Sequence, residues 1–340
     1  MRARGRKAVF LLLVGLIASG IAIGLPVSRG ETLREVQQLV QRGNLDEARR
    51  QLIEALKLFP RDAAFYDLLG VVEAQKGSYP RAELNFLKAV ELDPLLTGAY
   101  LNLGRLYQEN AARDRNAARK ALAAYRKLLK FDPQNAEANY QSALLLERAK
   151  AFQPSLDHLS RLPAADQKKA QALSLRCADL AGLRERAETS AAADQLLNSP
   201  DLTEADILSI GPALDANHWD ELETRLLEGA VKRGLESFNL LNALGRLYAR
   251  TGKLGAARAT LEKAAGARPD SVDALLELAH IAEAQTDNKG ALSYLAHARD
   301  LDPKNPAIHF FFGMVAVKEN LLEEAYASLK RAVTLSPENA

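Results

Sequence analysis

The sequence has almost no cysteine. Cys177 stands alone among 340 residues, which excludes an internal disulfide framework and any zinc site built on paired cysteines. Aromatic residues are scarce at 6%, and Trp219 is the one tryptophan. The five histidines are His158, His218, His280, His297 and His309. No two of them, and none with Cys177, stand at the i,i+3 or i,i+4 spacing that sets two metal ligands on one helix face. A G-x-S-x-G elbow, a Walker A loop and a glycine-rich strand-to-helix turn are all missing. These gaps remove the common routes to metal, nucleophilic and nucleotide chemistry, so no catalytic residue, cofactor or metal is assigned. A large charge of one sign is missing as well. From position 31 onward there are 40 basic and 43 acidic residues, a net of about −3. Nucleic-acid binding driven by bulk charge is therefore disfavoured.

The exception in charge is the N-terminus. Arg2, Arg4, Arg6, Lys7 and Arg29 occur before the first acid, Glu31. Residues 8–25, AVFLLLVGLIASGIAIGL, carry no charge. As a helix they span roughly 27 Å, slightly short of a ~30 Å hydrocarbon core. Two readings stand: a cleaved secretory signal, with Ala22 and Gly24 as small residues before the cut, or a retained signal-anchor. Either one, with the basic end held inside, places the rest of the chain outside the cytoplasm, periplasmic, secreted or anchored by a single pass.

The remainder repeats itself. Leu92-Asp93-Pro94 returns as Phe131-Asp132-Pro133 and as Leu301-Asp302-Pro303. Pro60 and Pro94 are 34 residues apart, as are Pro269 and Pro303, and Pro303 and Pro337. Ahead of these prolines come small residues at one fixed offset, Gly70, Gly104, Gly245, Ala279 and Gly313. Others stand at a second offset, Ala48, Ala82, Ala121, Ala257, Ala291 and Ala325. Tyr107 and Tyr248 each follow a Leu-Gly pair by two residues. Small residues let two helices approach closely, and a proline stops the second helix. In the last stretch Leu322, Ala325, Tyr326, Leu329 and Val333 follow the helical spacing, and no segment alternates with the strand period.

These residues resemble the tetratricopeptide repeat, a 34-residue helix–turn–helix with the pattern W-x2-L-G-x2-Y, A-x3-F and a closing proline. Units begin at 29, 63, 97, 136, 170, 204, 238, 272 and 306, with one five-residue insertion in the third, around 111–119. The resemblance implies an all-α fold, a right-handed α-solenoid of about nine units after an N-terminal apolar helix. The chain then divides into residues 1–28 as signal or signal-anchor, 29–162 as units one to four, 163–237 as degenerate helical units, and 238–340 as units seven to nine. The middle is weak for identifiable reasons. Pro163 comes early, so the second helix before it must be short. Cys177 takes the first small position in its unit. Gly211-Pro212 falls inside a first helix, where a proline costs roughly 3 kcal/mol, and Glu223 stands where alanine should pack.

In this family one side of each first helix lines a concave face. The resemblance places Asn102, Arg105, Gln108 and Glu109 there in unit three, and Asn242, Arg246 and Arg250 in unit seven. The clamp with which some members hold the terminal carboxylate of cytosolic chaperones is missing: Asp67, Val71, Glu137 and Gln141 stand where its cations and amides belong. Arg246 and Arg250, four apart, are expected to take an acidic partner segment or else to pair with Glu277 and Asp273 of the next unit. Unit nine presents Phe310, Phe311, Met314 and Val317 instead, an apolar end expected to self-associate or to dock a partner helix. The reading is a non-enzymatic protein–protein interaction scaffold outside the cytoplasm, holding a peptide or protein segment in its concave groove. It contacts no nucleic acid, and the membrane only through residues 8–25 if they are retained. Its partner-binding candidates are Asn102, Arg105, Asn242, Arg246, Arg250, Phe310, Phe311 and Met314. The alternative is a receptor, sensor or accessory subunit of a larger envelope or secretion machine, or of an enzyme whose catalytic part is on another chain.

Overall fold

A computed structural model describes residues 28–339. The apolar segment, read above as signal or anchor, lies outside the described residues. Among those described, all regular structure is helical, and no helix is long and apolar enough to cross a membrane. The chain separates into two compact bodies between Asp166 and Gln167.

The first body is a series of antiparallel helix pairs: α1 (Arg29–Gln41) with α2 (Leu45–Leu58), α3 (Ala63–Gln75) with α4 (Tyr79–Leu92), α5 (Thr97–Glu109) with α6 (Ala117–Phe131), and α7 (Ala136–Arg148) with α8 (Phe152–Ser160). A single turn, α9 (Ala164–Gln167), follows. α8 is only nine residues long, as Pro163 requires. The five extra residues of the third unit lengthen the α5–α6 turn. Asp114 anchors that turn, accepting from the Asn116 amide at 2.8 Å and pairing with Lys120 at 2.9 Å.

The second body continues the same frame. α10 (Ala170–Gly182) pairs with α11 (Arg186–Leu197). The next first helix is split into α12 (Glu204–Leu208) and α13 (Gly211–Ala216), which pack on α14 (Asp220–Lys232). Regular pairs follow: α15 (Phe238–Arg250) with α16 (Leu254–Ala267), α17 (Val272–Ala284) with α18 (Asn288–Leu301), and α19 (Pro306–Lys318) with α20 (Leu322–Leu335). One buried cluster runs from Ala170 to Leu247, so the irregular units share a core with unit seven.

Local chemistry fixes where each unit starts. Ser28, Asp62, Asn135, Ser237, Ser271 and Asn305 each accept from a backbone amide in the first turn of the helix that follows. Asn135 and Asn305 also donate back to Asp132 and Asp302 of the Asp-Pro pairs, at 2.9 and 3.2 Å. In eight of the nine units the turn between the two helices carries one residue in the left-handed region, at the fifteenth place; the lengthened turn of the third unit has none. It is Gly43, Gly77 and Gly252 in three units, and Lys150, Arg184, His218, Thr286 and Asn320 in five. The turn geometry is thus kept even where no glycine relieves it.

The small positions do what the pattern requires. Gly70 lies against the Phe86 ring and Gly104 against Tyr125, both rings fully buried. Cys177 is buried at the same place, and burial pushes its thiol up to about 12, so it is a packing residue at neutral pH. Opposite it, Thr189 replaces the missing alanine. Its hydroxyl is satisfied by the Glu185 carbonyl at 2.7 Å, which lets a polar side chain sit fully buried.

Candidate functional site

In the first body the same side of α3, α5 and α7 carries a chain of polar side chains that join one unit to the next. Asn102 donates to Asp67 at 3.0 Å. Arg105 pairs with Glu137 at 3.2 Å. Gln108 donates to Gln141 at 3.2 Å, and Gln141 donates to Glu137 at 3.2 Å. Burial pushes the Asp67 carboxyl up to about 6, opposed by the Asn102 bond. Glu109 is also raised by burial, against the pull of Arg105. The result is a half-buried row of amides with carboxylates beside it. Amide side chains offer both donors and acceptors, which suits a peptide main chain.

In the second body the corresponding face is arranged differently. Asn242 keeps a buried Oδ1 without a hydrogen-bond partner. Arg246 pairs with Glu277 at 3.3 Å while staying 63% exposed. Arg250 reaches neither Asp273 nor Glu277 of the next unit, the alternative expected for the two arginines. It turns back to the preceding unit and binds Asp215 at 2.5 Å, Asp220 at 2.8 Å and Glu223 at 3.0 Å. The two arginines share a helix face but not a task. Arg246 remains available to solvent, whereas Arg250 is already ringed by carboxylates of its own chain.

The broken helix explains this. Gly211-Pro212 ends the run of α12 and swings α13, so Asp215 comes close to Glu223. A cavity of about 190 Å³ remains beside them, lined by Ile207, Leu208, Leu214, Leu226 and Ala243. Burial raises the Glu223 carboxyl to about 7; the charge of Asp215 adds to this, and Arg250 opposes it. The three carboxylates approach within 4.8 Å of one another, and the Arg250 guanidinium supplies their counter-charge. Sequence reading noticed both Pro212 and Glu223 as departures. Only the fold joins them, where Gly211 and Asp215 of the broken first helix come up against the Glu223 carboxylate.

Three of the five histidines are held by neighbours within their own body. His158 Nδ1 meets Asn139 Oδ1 at 2.9 Å, and burial lowers its pKa. His309 meets the Pro303 carbonyl at 2.9 Å. His280 stacks on Phe311 with centroids 4.2 Å apart. Phe311 is thereby occupied within the body, while Phe310, Met314 and Val317 are 55%, 45% and 49% exposed.

Comparison with known proteins agrees with this architecture. Tetratricopeptide-repeat family models match residues 33–96 and 213–272, 248–309, and 306–339. No curated protein matches the chain. Among solved structures, the chain is similar to the C-terminal part of a TPR repeat-containing protein from Cytophaga hutchinsonii. That likeness has 13% identity, 69% of this chain and 95% of that one, and a TM-score of 0.55. A tetratricopeptide repeat protein from Parabacteroides merdae matches at 17% identity, over 84% of this chain and 98% of its own, with a TM-score of 0.44. YrrB, a TPR protein with an unusual peptide-binding site, matches at 17% identity over 63% and 93%, with a TM-score of 0.42. Likeness at such identities concerns the fold alone. With family matches spread over more than half its length and the helix-pair frame in both bodies, the chain belongs to the tetratricopeptide repeat family.

Proposed function

We propose that this protein is a non-enzymatic scaffold, exported or membrane-anchored, that holds an extended peptide segment of a partner along α3, α5 and α7. The coarser part of this reading follows from family membership, since tetratricopeptide repeats form protein–protein interaction scaffolds. The finer part rests on one observation. Asn102, Gln108 and Gln141 form a half-buried amide row that bridges successive units. Neighbouring helices pack about 10 Å apart, and an extended peptide rises about 3.3 Å per residue. About three peptide residues then pass each unit, so an amide of α5 and the Gln141 amide of α7 can meet peptide groups about three residues apart.

A random peptide library panned against the full chain provides the test. Peptides selected on the native protein should lose about tenfold in affinity to the Asn102→Ala, Gln141→Ala variant, the size of two lost hydrogen bonds. Selected peptides indifferent to both changes would place the binding surface elsewhere. Export is supported by the basic start and the uncharged segment 8–25. N-terminal sequencing of the protein from its native host distinguishes the two fates. A start near residue 25 means cleavage, and an intact start with membrane fractionation means anchoring. An intact start in the soluble cytoplasmic fraction would overturn both.

A further inference from the structure

The last unit carries a face that its neighbour shows how to read. Six residues of α17 and α18 are among those with which unit eight holds unit nine. Leu276 and Leu292 pack on the cluster of Phe312 and Val315. His280 stacks on Phe311, and Arg299 lies over the Phe312 ring at 4.7 Å. Glu283 pairs with Lys318, and Asn288 donates to Glu319 at 2.9 Å. One repeat of 34 residues further on, these six places are Phe310, Tyr326, Met314, Val333, Val317 and Leu322. In unit eight they are a mixture of apolar, polar and charged residues. In unit nine all six are apolar, and all six are exposed, from 45% at Met314 to 68% at Tyr326. Six neighbouring exposed apolar side chains form a patch of the kind that marks an interaction surface, at the places with which unit eight holds its own neighbour.

We propose that this face binds the same face of a second copy of the chain, in a two-fold, tail-to-tail dimer. Two features on the molecule select this occupant. A head-to-tail stack would set the face on α1, whose exposed residues are Arg29, Gly30, Glu31, Arg34, Glu35, Gln38 and Gln41. That surface is polar and cannot cover six apolar side chains. The second feature is charge. Glu323 and Lys330, seven residues apart and so on one side of α20, flank the stripe of Leu322, Tyr326 and Val333. The Lys330 ammonium lies over the Tyr326 ring at 5.8 Å. An antiparallel second α20 sets Glu323 of each copy against Lys330 of the other, twice, while the apolar stripes meet between them. An isologous interface must be self-complementary in this way.

Disulfide cross-linking of the full chain tests the pairing. The native Cys177 is buried and gives no background. A mixture of the Glu323→Cys and Lys330→Cys variants should form a cross-linked heterodimer. Either variant alone should give about tenfold less, because like positions lie about 10 Å apart along the paired helices. Adding Met314→Asp, an exposed change that spares the fold, should cut the mixed yield about tenfold. Independently, Glu323→Lys or Lys330→Glu alone should weaken association, and the double swap should restore it. The proposal fails if the mixture cross-links no better than a Lys57→Cys collision control, if Met314→Asp leaves the yield unchanged, or if the double swap is as weak as the singles. A foreign helix on this face would give that first negative. Peptide binding on α3, α5 and α7 is read separately, so either proposal can fail without the other.

Discussion

Replacing Gly104 by alanine is expected to destabilise the first body by about 2 kcal/mol, read as a shift in the urea midpoint. Two effects oppose each other. Alanine is the better helix former by about 1 kcal/mol. Against that, its methyl would fall within the ring of Tyr125, which is fully buried and has no free volume to enter. Overpacking of this kind costs about 3 kcal/mol at its upper end, so packing wins. The test of mechanism is the background. In unit eight the same two places are Ala279 and Leu295, both fully buried, so alanine is compatible with leucine there. With Tyr125→Leu already present, Gly104→Ala should cost clearly less, since leucine accepts an alanine at Ala279–Leu295 although it crowds the glycine at Gly245–Leu261 and Gly313–Leu329. An equal cost in both backgrounds would show that the collision is not with Tyr125, and the double-mutant cycle would measure no coupling.

The repeat frame was legible because it is written several times over. Small residues recur where two helices touch, prolines recur where the second helix stops, and each first helix begins where the 34-residue register places it, from Arg29 to Pro306. Even the defects were readable. Pro163 shortens α8 and Gly211-Pro212 splits α12 from α13, as the loss of an amide donor and the ring clash require. The fifteenth place of each unit was not legible. Lys150, Arg184, His218, Thr286 and Asn320 adopt the left-handed region with little in their identity to announce it, apart from His218 and Asn320. Tertiary packing of the pair imposes that turn.

For the candidate site, the first helices could be assigned a face, but not the partners across it. Asp67 and Asn102 are 35 residues apart, as are Arg250 and Asp215, and the second pair runs in the opposite direction to the one expected. Register says which side chains share a face. It does not say whether a long arginine reaches forward to Asp273 or backward to Asp215. The broken helix decides that, by moving Asp215 within reach. The same limit applies at the C-terminal end. Phe310 and Phe311 are adjacent and equally apolar, yet Phe311 stacks on His280 and Phe310 faces outward.

Glu223→Gln is expected to stabilise the second body at pH 8 by on the order of 1 kcal/mol and to change it little at pH 5. The Glu223 carboxyl titrates at about 7 in the folded chain, above the 4.5 of an unperturbed glutamate. Between those values the folded state holds a proton that the unfolded state has released. Stability therefore falls as pH rises from about 4.5 through 7, and above 7 the folded chain bears the full cost of a half-buried charge beside Asp215. Glutamine keeps the acceptor for Arg250 and removes that charge. Arg250→Ala should act in the opposite sense. It leaves Asp215, Asp220 and Glu223 within 4.8 Å of one another without their counter-charge. Charge-assisted bonds of this kind are worth about 1.5–3 kcal/mol each, but the arginine side chain is 47% exposed and screened by solvent. A loss of about 1–2 kcal/mol at pH 8, shrinking toward pH 5 as Glu223 takes up its proton, is the expected outcome of thermal melts across that range. In the Arg250→Ala, Glu223→Gln double variant most of the pH dependence should disappear. If the single Arg250→Ala loss is the same at both pH values, Arg250 is contributing packing rather than charge, and the guanidinium is not what holds α13 and α14 to α15.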